Sequence, residues 1–462
     1  MKKLLVALLT ITLGLTTLCG CSLFGGDKTK TRDDYKWISV STLEDLYGME
    51  SNKCYRLEGD IDLQGRPWTP LIVVGFDGNG HTVSNGMIME TVTEGETDYF
   101  GNVCFSGFIG KCNWLDNLTV DNFRIVYTAS ERPRVGFAVG QALEVVNTTV
   151  KNCTATVTSG LFCGCVVGYG FQVKSCTAKD CTINGNGVNA AGGIAGQGWT
   201  FDDCIVDTIM IESSKVIGGI MATGSTSNGH FKNCSVKNSI LTSLADGANS
   251  SSDLIGYGVG GIVGVCSFQS DIDKKNAYME NCLSENNIIT SKGEGIGGVV
   301  GVVGNRFYFK NCLSQGNTLT STYTGTKFTP RVGGFAGATA SSTQSCFAIH
   351  NKLNCHSESQ SNAYLAGFAA YYTGLYSFKL SETILFCGVY GNIIEGQNKT
   401  AYSFSPKNDL IINCYADDEN AKEVDYLSEK DWKTASVLAQ TFNLSSDYWT
   451  LVDGSLPTLK LN

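Results

Sequence analysis

Two stretches of the chain repeat one pattern, and this repeat limits the possible folds more than any other feature. The copies span 259–291 and 296–321, and each opens with an apolar residue, two glycines, two apolar residues and a third glycine. Each copy then closes with Asn-Cys-Leu-Ser (281–284 and 311–314) and a short apolar run. Self-similarity at a few tens of residues is typical of a solenoid, in which a copy buries its apolar face only against its neighbours.

The pieces of the unit are too short for helices. In segments 282–284 and 287–290, apolar residues alternate with polar ones or follow one another over three or four positions, which favours short strands. Paired glycines between β-branched residues suit tight turns or close backbone contacts. Asn286 and Gly316 tolerate the positive φ that a corner needs. The pattern predicts an all-β fold, a parallel β-helix with three short strands and three corners per coil.

Degenerate copies extend the repeat over most of the chain. We count about ten coils within 57–421, which at about 4.8 Å per coil predict a rod about 45–50 Å long. Residues 35–56 have capping-box spacing at Ser41-Thr42-Leu43-Glu44, which predicts an N-terminal cap with a short helix. Residues 422–462 lose the repeat, and we expect them to form a C-terminal cap with short helical and strand segments.

Composition supports a long solenoid and argues against one class of partner. The 462 residues are 42% apolar and 17% charged, with 54 glycines and only 6 prolines, which suits many tight turns around a large core. The net charge of −9 argues against nucleic acid, because phosphate binding needs a basic surface.

The N-terminus has the features of an export signal. Lys2 and Lys3 precede an apolar run at 4–18, which is too short for a membrane span. The run ends Leu18-Cys19-Gly20-Cys21, which resembles the bacterial lipoprotein signal. That resemblance implies that 1–20 is removed, that Cys21 is lipidated, that 21–34 is a polar tether, and that the protein is anchored to a cell membrane facing the exterior. The alternative is an ordinary signal peptide with a chance cysteine.

Cysteine usage predicts a buried column. Of 19 cysteines, 17 remain without Cys19 and Cys21, and an odd number cannot form a fully paired disulfide framework. Many recur at one place in the unit, and we expect them to stack as small apolar side chains. This predicted ladder contains Cys153, Cys176, Cys204, Cys234, Cys282, Cys312, Cys346 and Cys414. Cys163 and Cys165 would share one strand face, but no second pair completes a zinc site, so we expect no metal.

The whole unit is similar to the GLUG-motif repeats of bacterial surface proteins. The similarity rests on the apolar-Gly-Gly-apolar-x-Gly segment followed by Asn-Cys or Asp-Cys, on 60–63 with Trp68 and 76–81 near the start, and on Trp449 with 456–460 near the end. It implies an extracellular β-solenoid, often adhesin-like. It supplies no catalytic residues.

The sequence contains few residues in patterns typical of catalysis. His81, His230, His350 and His356 are scattered, and metal-hydrolase, serine-hydrolase, phosphate-loop and EF-hand motifs are absent from the sequence. We therefore expect no cofactor. β-helical enzymes that act on polysaccharides need two or three carboxylates on one face of neighbouring coils, and the sequence does not reveal such a set.

An aromatic cluster in a late coil is the candidate ligand contact. Tyr364, Tyr371, Tyr372 and Tyr376 could stack on sugar rings or hold a protein partner, whereas the alternative places half of the cluster, which includes Phe368, in the core. The sequence thus predicts a lipid-anchored surface binding or adhesion module for a glycan or a protein. The alternative is an anchored polysaccharide lyase or glycoside hydrolase.

Overall fold

The chain forms an all-β parallel β-helix, which confirms the predicted fold class. The computed structural model describes residues 31–461 except 91–92, 99–100, 129–132, 214, 226–228, 245–256, 268–276, 325–328, 357–362, 371–382, 397–398, 406–410 and 422–423. We name the four long sheets A, B, C and D in the order in which each coil passes through them. Over the described residues they contain 16, 13, 10 and 11 strands, and the ten strands of sheet C agree with the predicted ten coils.

The strands of each sheet follow the chain from coil to coil. Sheet A contains Trp37–Val40, Cys54–Leu57, Leu71–Ile72, Gly75–Asp77, Ile109–Asp116, Val139–Val146, Val167–Lys174, Ala195–Asp202, Met221–Ser225, His230–Lys232, Val263–Ser267, Ala277–Glu280, Val300–Lys310, Ala336–Gln344, Ile384–Leu385 and Ile411–Ile412. Sheet B contains Ile61–Asp62, Thr82–Ser84, Thr119–Asp121, Thr149–Lys151, Thr177–Lys179, Ile205–Asp207, Ser235–Lys237, Leu283–Glu285, Leu313–Gln315, Phe347–Ile349, Gly388–Tyr390, Tyr415–Ala416 and Asp425–Tyr426.

Sheets C and D complete each coil. Sheet C contains Met87–Met89, Arg124–Tyr127, Thr154–Val157, Thr182–Gly185, Met210–Ser213, Ile240–Ser243, Ile288–Ser291, Thr318–Ser321, Lys352–Cys355 and Ile393–Gly396. Sheet D contains Thr93–Asp98, Gly101–Ser106, Arg134–Gly136, Gly160–Gly164, Val188–Gly192, Val216–Gly218, Gly258–Gly260, Gly295–Gly297, Arg331–Gly333, Ala363–Ala366 and Lys399–Tyr402.

A full coil has four strands, so the predicted three is wrong. The glycine-rich opening of the unit is itself extended: Gly258–Gly260 belongs to sheet D, and Val263–Ser267 begins the next strand of sheet A. Neighbouring coils pair in parallel, as Ile288–Ser291 does with Thr318–Ser321 in sheet C. This parallel stacking places equivalent residues of successive coils directly over one another.

The A–B corner explains the cysteine column. From Asn117 onward, each corner has a residue with positive φ, such as Asn281 (φ 56°), followed by a buried residue that leads into sheet B. Asparagine is frequent at the first position because its short polar side chain tolerates this backbone conformation. The buried residue is a cysteine in eight successive coils: Cys176, Cys204, Cys234, Cys282, Cys312, Cys346, Cys387 and Cys414. The Cys312 thiol donates to the Lys310 carbonyl at 3.3 Å, which satisfies its hydrogen.

The predicted ladder therefore wrongly includes Cys153 and omits Cys387. Cys153 follows Asn152 at the B–C corner, where Cys181 lies over it, and the A–B position of its coil is Thr148. The sequence did not distinguish the A–B corner from the B–C corner, because both corners can use an Asx residue followed by a small buried one. Cys387 follows Phe386, which takes the positive φ (53°) in place of an asparagine and so hides the motif.

The B–C corner carries a second column, which the sequence analysis did not predict. After Cys153, Cys181, Ile209 and Ser239 it becomes a run of amides, which are the buried Asn287, Asn317 and Asn351 and the partly exposed Asn392. The backbone N–H of each corner residue donates to the side-chain oxygen one coil later, at 2.9 Å from Asn287 to Asn317 and 3.0 Å from Asn317 to Asn351. The column satisfies corner amides that the sheets leave unpaired.

Segments outside the coils cover both the ends and the sides. Near the N-terminus, helix α1 (Leu43–Tyr47) starts at Thr42, whose hydroxyl accepts from the Asp45 N–H at 3.1 Å, and Leu46 is buried in the core. The predicted C-terminal cap contains helices α2 (Glu429–Trp432) and α3 (Ala435–Thr441) and a hairpin of Trp449–Thr450 with Thr458–Leu459.

This C-terminal segment lies mainly beside the coils. Trp432, Phe442 and Trp449 pack on Phe347, which lies on the outer face of sheet B together with Leu283 and Leu313; these six residues belong to one buried cluster. Their packing explains why apolar residues face outward in these coils. None of the helices in the described ranges is long and apolar enough to cross a membrane.

The thiols should be almost unreactive in the native protein. All 17 cysteines from Cys54 to Cys414 are buried, and burial raises the pKa of the Cys163 and Cys176 thiols to about 12. Since a reagent must reach the sulfur before it can react, we expect almost no reaction with a thiol-specific disulfide reagent until guanidinium exposes all 17 thiols. The variant Ser51→Cys, at an exposed position, should react at once as a control. Rapid labelling of several native thiols would contradict the buried columns.

Candidate functional site: an aromatic face on sheet A

The outer face of sheet A collects aromatic side chains from successive coils. One column of this face lies four residues before the A–B corner residue of each coil, and consecutive coils place His230, Tyr278 and Tyr308 there in register. Phe171 and Trp199 lie in the two preceding coils, with ring centroids 4.6 Å apart. These five residues are partly exposed, and we call them the aromatic face.

Two rings of the aromatic face are stacked in parallel. His230 and Tyr278 lie 5.1 Å apart between centroids with an interplanar angle of 6°. Burial raises the pKa of Tyr278 and of Tyr308, so both phenols stay neutral and keep their donor hydrogen at neutral pH. The Tyr308 hydroxyl donates to the side-chain oxygen of Gln344. A rigid, partly exposed set of rings loses little conformational entropy when a ligand covers it.

A column of alternating charge runs beside the aromatic face. Lys174, Asp202, Lys232, Glu280 and Lys310 occupy successive coils in register. Neighbouring groups compensate one another: His230 Nε2 lies 3.0 Å from Asp202 Oδ1, and Lys310 Nζ lies 3.8 Å from Glu280 Oε1. The face is therefore polar at its edge without a dominant sign of charge.

A carboxylate cluster lies on the same sheet nearer the N-terminus. Asp77 and Asp116 are register partners, and Glu144 belongs to the next coil. Arg32 pairs with Asp116 and, at 2.7 Å, with Glu144, while Arg56 Nε lies 2.9 Å from Asp77 Oδ2. Burial raises the pKa of Asp116 to about 6, opposed by Arg32 and reinforced by Glu144 and Asp77.

The N-terminal segment covers this cluster. The Arg32 guanidinium lies over the ring of Trp114 at 5.6 Å, and Tyr35 meets the same ring edge-on at 5.6 Å. The Trp37 indole donates to the Arg32 carbonyl at 3.4 Å. The carboxylates thus hold residues 32–37 against sheet A.

The corners also carry shallow depressions. One, of about 440 Å³, is lined by corner residues including Asn85 and Asn122 together with Arg124, and the other, of about 430 Å³, by Asn79, Asn117 and Asn147 among others. Both are open and lack a group of titratable side chains, so the aromatic face is the better candidate site.

Most of the predicted ligand contacts fall outside the described residues. This holds for Tyr371, Tyr372 and Tyr376, and for the lipidation site Cys21. Tyr364 is described: it is partly exposed in sheet D, as the register partner of Arg331, and does not belong to the aromatic face. Phe368 is fully buried between Phe335 and Phe404, at centroid distances of 4.8 and 4.9 Å, so for this residue the core interpretation was right.

A signal for the aromatic face was present in the sequence. In three consecutive units the residue four places before the corner cysteine is His230, Tyr278 or Tyr308. Its meaning depends on which strand face that position occupies, and only the register of sheet A shows that it points outward.

Comparisons with known proteins add little to this picture. No family model and no curated protein matches the chain. Among solved structures, the chain is similar to a putative immunoglobulin A1 protease from Bacteroides ovatus, with 12% identity over 95% of this chain and 96% of the other. The TM-score of 0.34 is too low for the likeness to support an argument about fold or function. The resemblance to GLUG-motif proteins therefore stays a prediction.

Proposed function

We propose that the protein is a cell-surface binding module that holds glycans on the aromatic face, tethered to the membrane by a lipid on Cys21. The observation that carries the proposal is the parallel stack of His230 and Tyr278 with Tyr308 in register on the next coil. Because these two rings face each other, their edges remain for a ligand: the edges offer apolar contact to sugars, and the tyrosine hydroxyls add polar contacts. The solenoid holds these rings on a rigid surface, which favours binding over a site made of loops.

The test is a binding screen of the protein from Ser22 onward on host and microbial glycans and mucin, with Tyr278→Ala as the main variant. Loss of a partner in the stack should weaken binding about fivefold or more, because each well-packed aromatic contact contributes about 1 kcal/mol or more. Tyr426→Ala is the matched control: this tyrosine is 51% exposed and lies far along the rod in sheet B. Equal loss in both variants, or no saturable binding, would refute the proposal.

Cleavage of a polysaccharide is a second candidate, favoured by one observation. Asp116 is a buried carboxyl with a pKa of about 6 beside Glu144, a pairing that suits an acid and its partner in glycoside cleavage. Product release should be measured in the same wells. Turnover that Asp116→Asn abolishes would replace the binding function with an enzymatic one.

The anchor has its own test in cells that incorporate an alkyne-labelled fatty acid. We expect label on the full chain and its loss in Cys21→Ala, with protein released from the membrane fraction. Cys19→Ala is the matched control, because it changes a neighbouring cysteine that the signal does not use, and it should keep the label. Label that survives in Cys21→Ala would refute lipidation at this residue.

A further inference from the structure

Resting on the proposed function, we propose that the aromatic face binds a linear, uncharged polysaccharide that lies along the long axis of the solenoid. Two independent observations support this ligand class: the direction in which the stacking rings repeat, and the compensation of charge beside them.

The expected direction of the ligand follows from the register of the strands in sheet A. His230, Tyr278 and Tyr308 occupy one column of sheet A, so their rings succeed one another along the axis at the coil spacing of about 4.8 Å. Phe171 and Trp199 continue the aromatic surface toward the N-terminus. A compact ligand covers one or two of these rings. A ligand whose units repeat along a line contacts the outward edges of all three, and a linear polysaccharide has that property.

Among the described residues, small side chains lie in this column at both ends of the stack. The register partner of His230 on the preceding coil is Thr200, and the column position after Tyr308 is the small residue Ser342. Thr200 and Ser342 therefore end the stack within this column, while Trp199 beside Thr200 continues the aromatic surface on the N-terminal side. A chain longer than the stack can extend past His230 onto Trp199 and Phe171.

The expected charge of the ligand follows from the column of alternating charge beside the aromatic face. A binding site for uronates, sulfates or sialic acids needs cations that no neighbouring acid compensates. Here the lysines alternate with acids: Asp202 and Glu280 occupy the coils next to Lys232, and Glu280 also lies next to Lys310. An acidic polymer along this face would meet Asp202 and Glu280 between the three lysines Lys174, Lys232 and Lys310, so the alternation favours a neutral ligand.

The experiment compares neutral and acidic polymers and then a length series. Binding of the protein from Ser22 onward is measured to neutral β-linked glucans, mannans and xylans and to polygalacturonate and hyaluronan, at low and high salt. Oligosaccharides of increasing length from the polymer that binds are then titrated by calorimetry. We expect a neutral polymer to bind, little salt dependence, and affinity that rises about tenfold or more with length as successive rings are covered.

Variants separate the two proposals. Tyr278→Ala should flatten the dependence on length, because it interrupts the stack at its centre, whereas Lys232→Gln should leave affinity within about twofold if charge is not recognised. Preference for an acidic polymer with steep salt dependence, or equal affinity for a monosaccharide and a long chain, would overturn the ligand class while leaving glycan binding intact. Failure of every glycan to bind, or binding insensitive to Tyr278→Ala, would overturn the proposed function and this inference with it.

Discussion

Replacing Gly298 with alanine should destabilise the solenoid by about 3 kcal/mol. Gly298 is the second glycine of the paired motif and faces the interior, where an added Cβ would lie in steric conflict with the Ser314 hydroxyl of sheet B and the Gly334 carbonyl of the next coil. The Gly334 oxygen is backbone, so the conflict is not relieved by rotation of a side chain. The free energy of unfolding, measured by circular dichroism in guanidinium, checks the expectation.

Two further variants make this result specific. Gly59→Ala is the matched control, since an added Cβ there meets nothing within 4 Å, and its effect should stay within about 0.5 kcal/mol. The double variant Gly298→Ala/Ser314→Ala should not recover stability, because the conflict with the Gly334 carbonyl remains and the 2.5 Å hydrogen bond from Ser314 to that carbonyl is lost. Wild-type stability in Gly298→Ala would mean that sheets B and D are not packed as closely as described.

The repeat predicted the fold because it encodes spacing along the chain. The positions of its glycines and asparagines are fixed by close contacts and by positive φ, and such requirements act locally, so they are visible in one sequence. The number of coils followed from the same spacing. The count of strands per coil did not, because the glycine-rich segments of sheets A and D carry no alternation that identifies them as strands.

Contacts between distant parts of the chain could not be predicted from the sequence. Leu283, Leu313 and Phe347 point away from the solenoid axis and would seem misplaced without Trp432, Phe442 and Trp449, which are far along the chain. The assignment of Cys153 to the wrong column has the same origin, since the two corners of a coil have similar local requirements. Only the register between coils tells them apart.

The candidate site was missed for a related reason. Composition drew attention to the aromatic cluster around Tyr364, because several rings lie close together in sequence. In a solenoid, however, proximity in sequence spreads residues around one coil, whereas residues one coil apart lie side by side. His230, Tyr278 and Tyr308 are separated by long stretches of sequence and form a continuous surface.

Replacing Asn317 with alanine should cost about 3 kcal/mol or more, because it leaves several buried groups without partners. Asn317 is fully buried. Its side-chain oxygen accepts from the Asn287 N–H at 2.9 Å, and its amide donates to the Ser284 carbonyl at 3.0 Å. Alanine removes both contacts, and water cannot enter the closed core to replace them. Asn184→Ala, at an exposed position of sheet C, is the control and should change the free energy of unfolding by less than about 0.5 kcal/mol.

The chain itself provides a variant that tests the reason for this loss. In an earlier coil the same corner position holds Cys153, whose sulfur accepts from the Phe123 N–H at 3.3 Å and whose thiol donates to the Lys151 carbonyl at 3.1 Å. Asn317→Cys should therefore restore an acceptor for the Asn287 N–H and fall between wild type and Asn317→Ala in stability. If the cysteine and alanine variants were equally unstable, the loss would come from packing alone. The observed order thus decides whether the second column stabilises the coils by satisfying their corner amides.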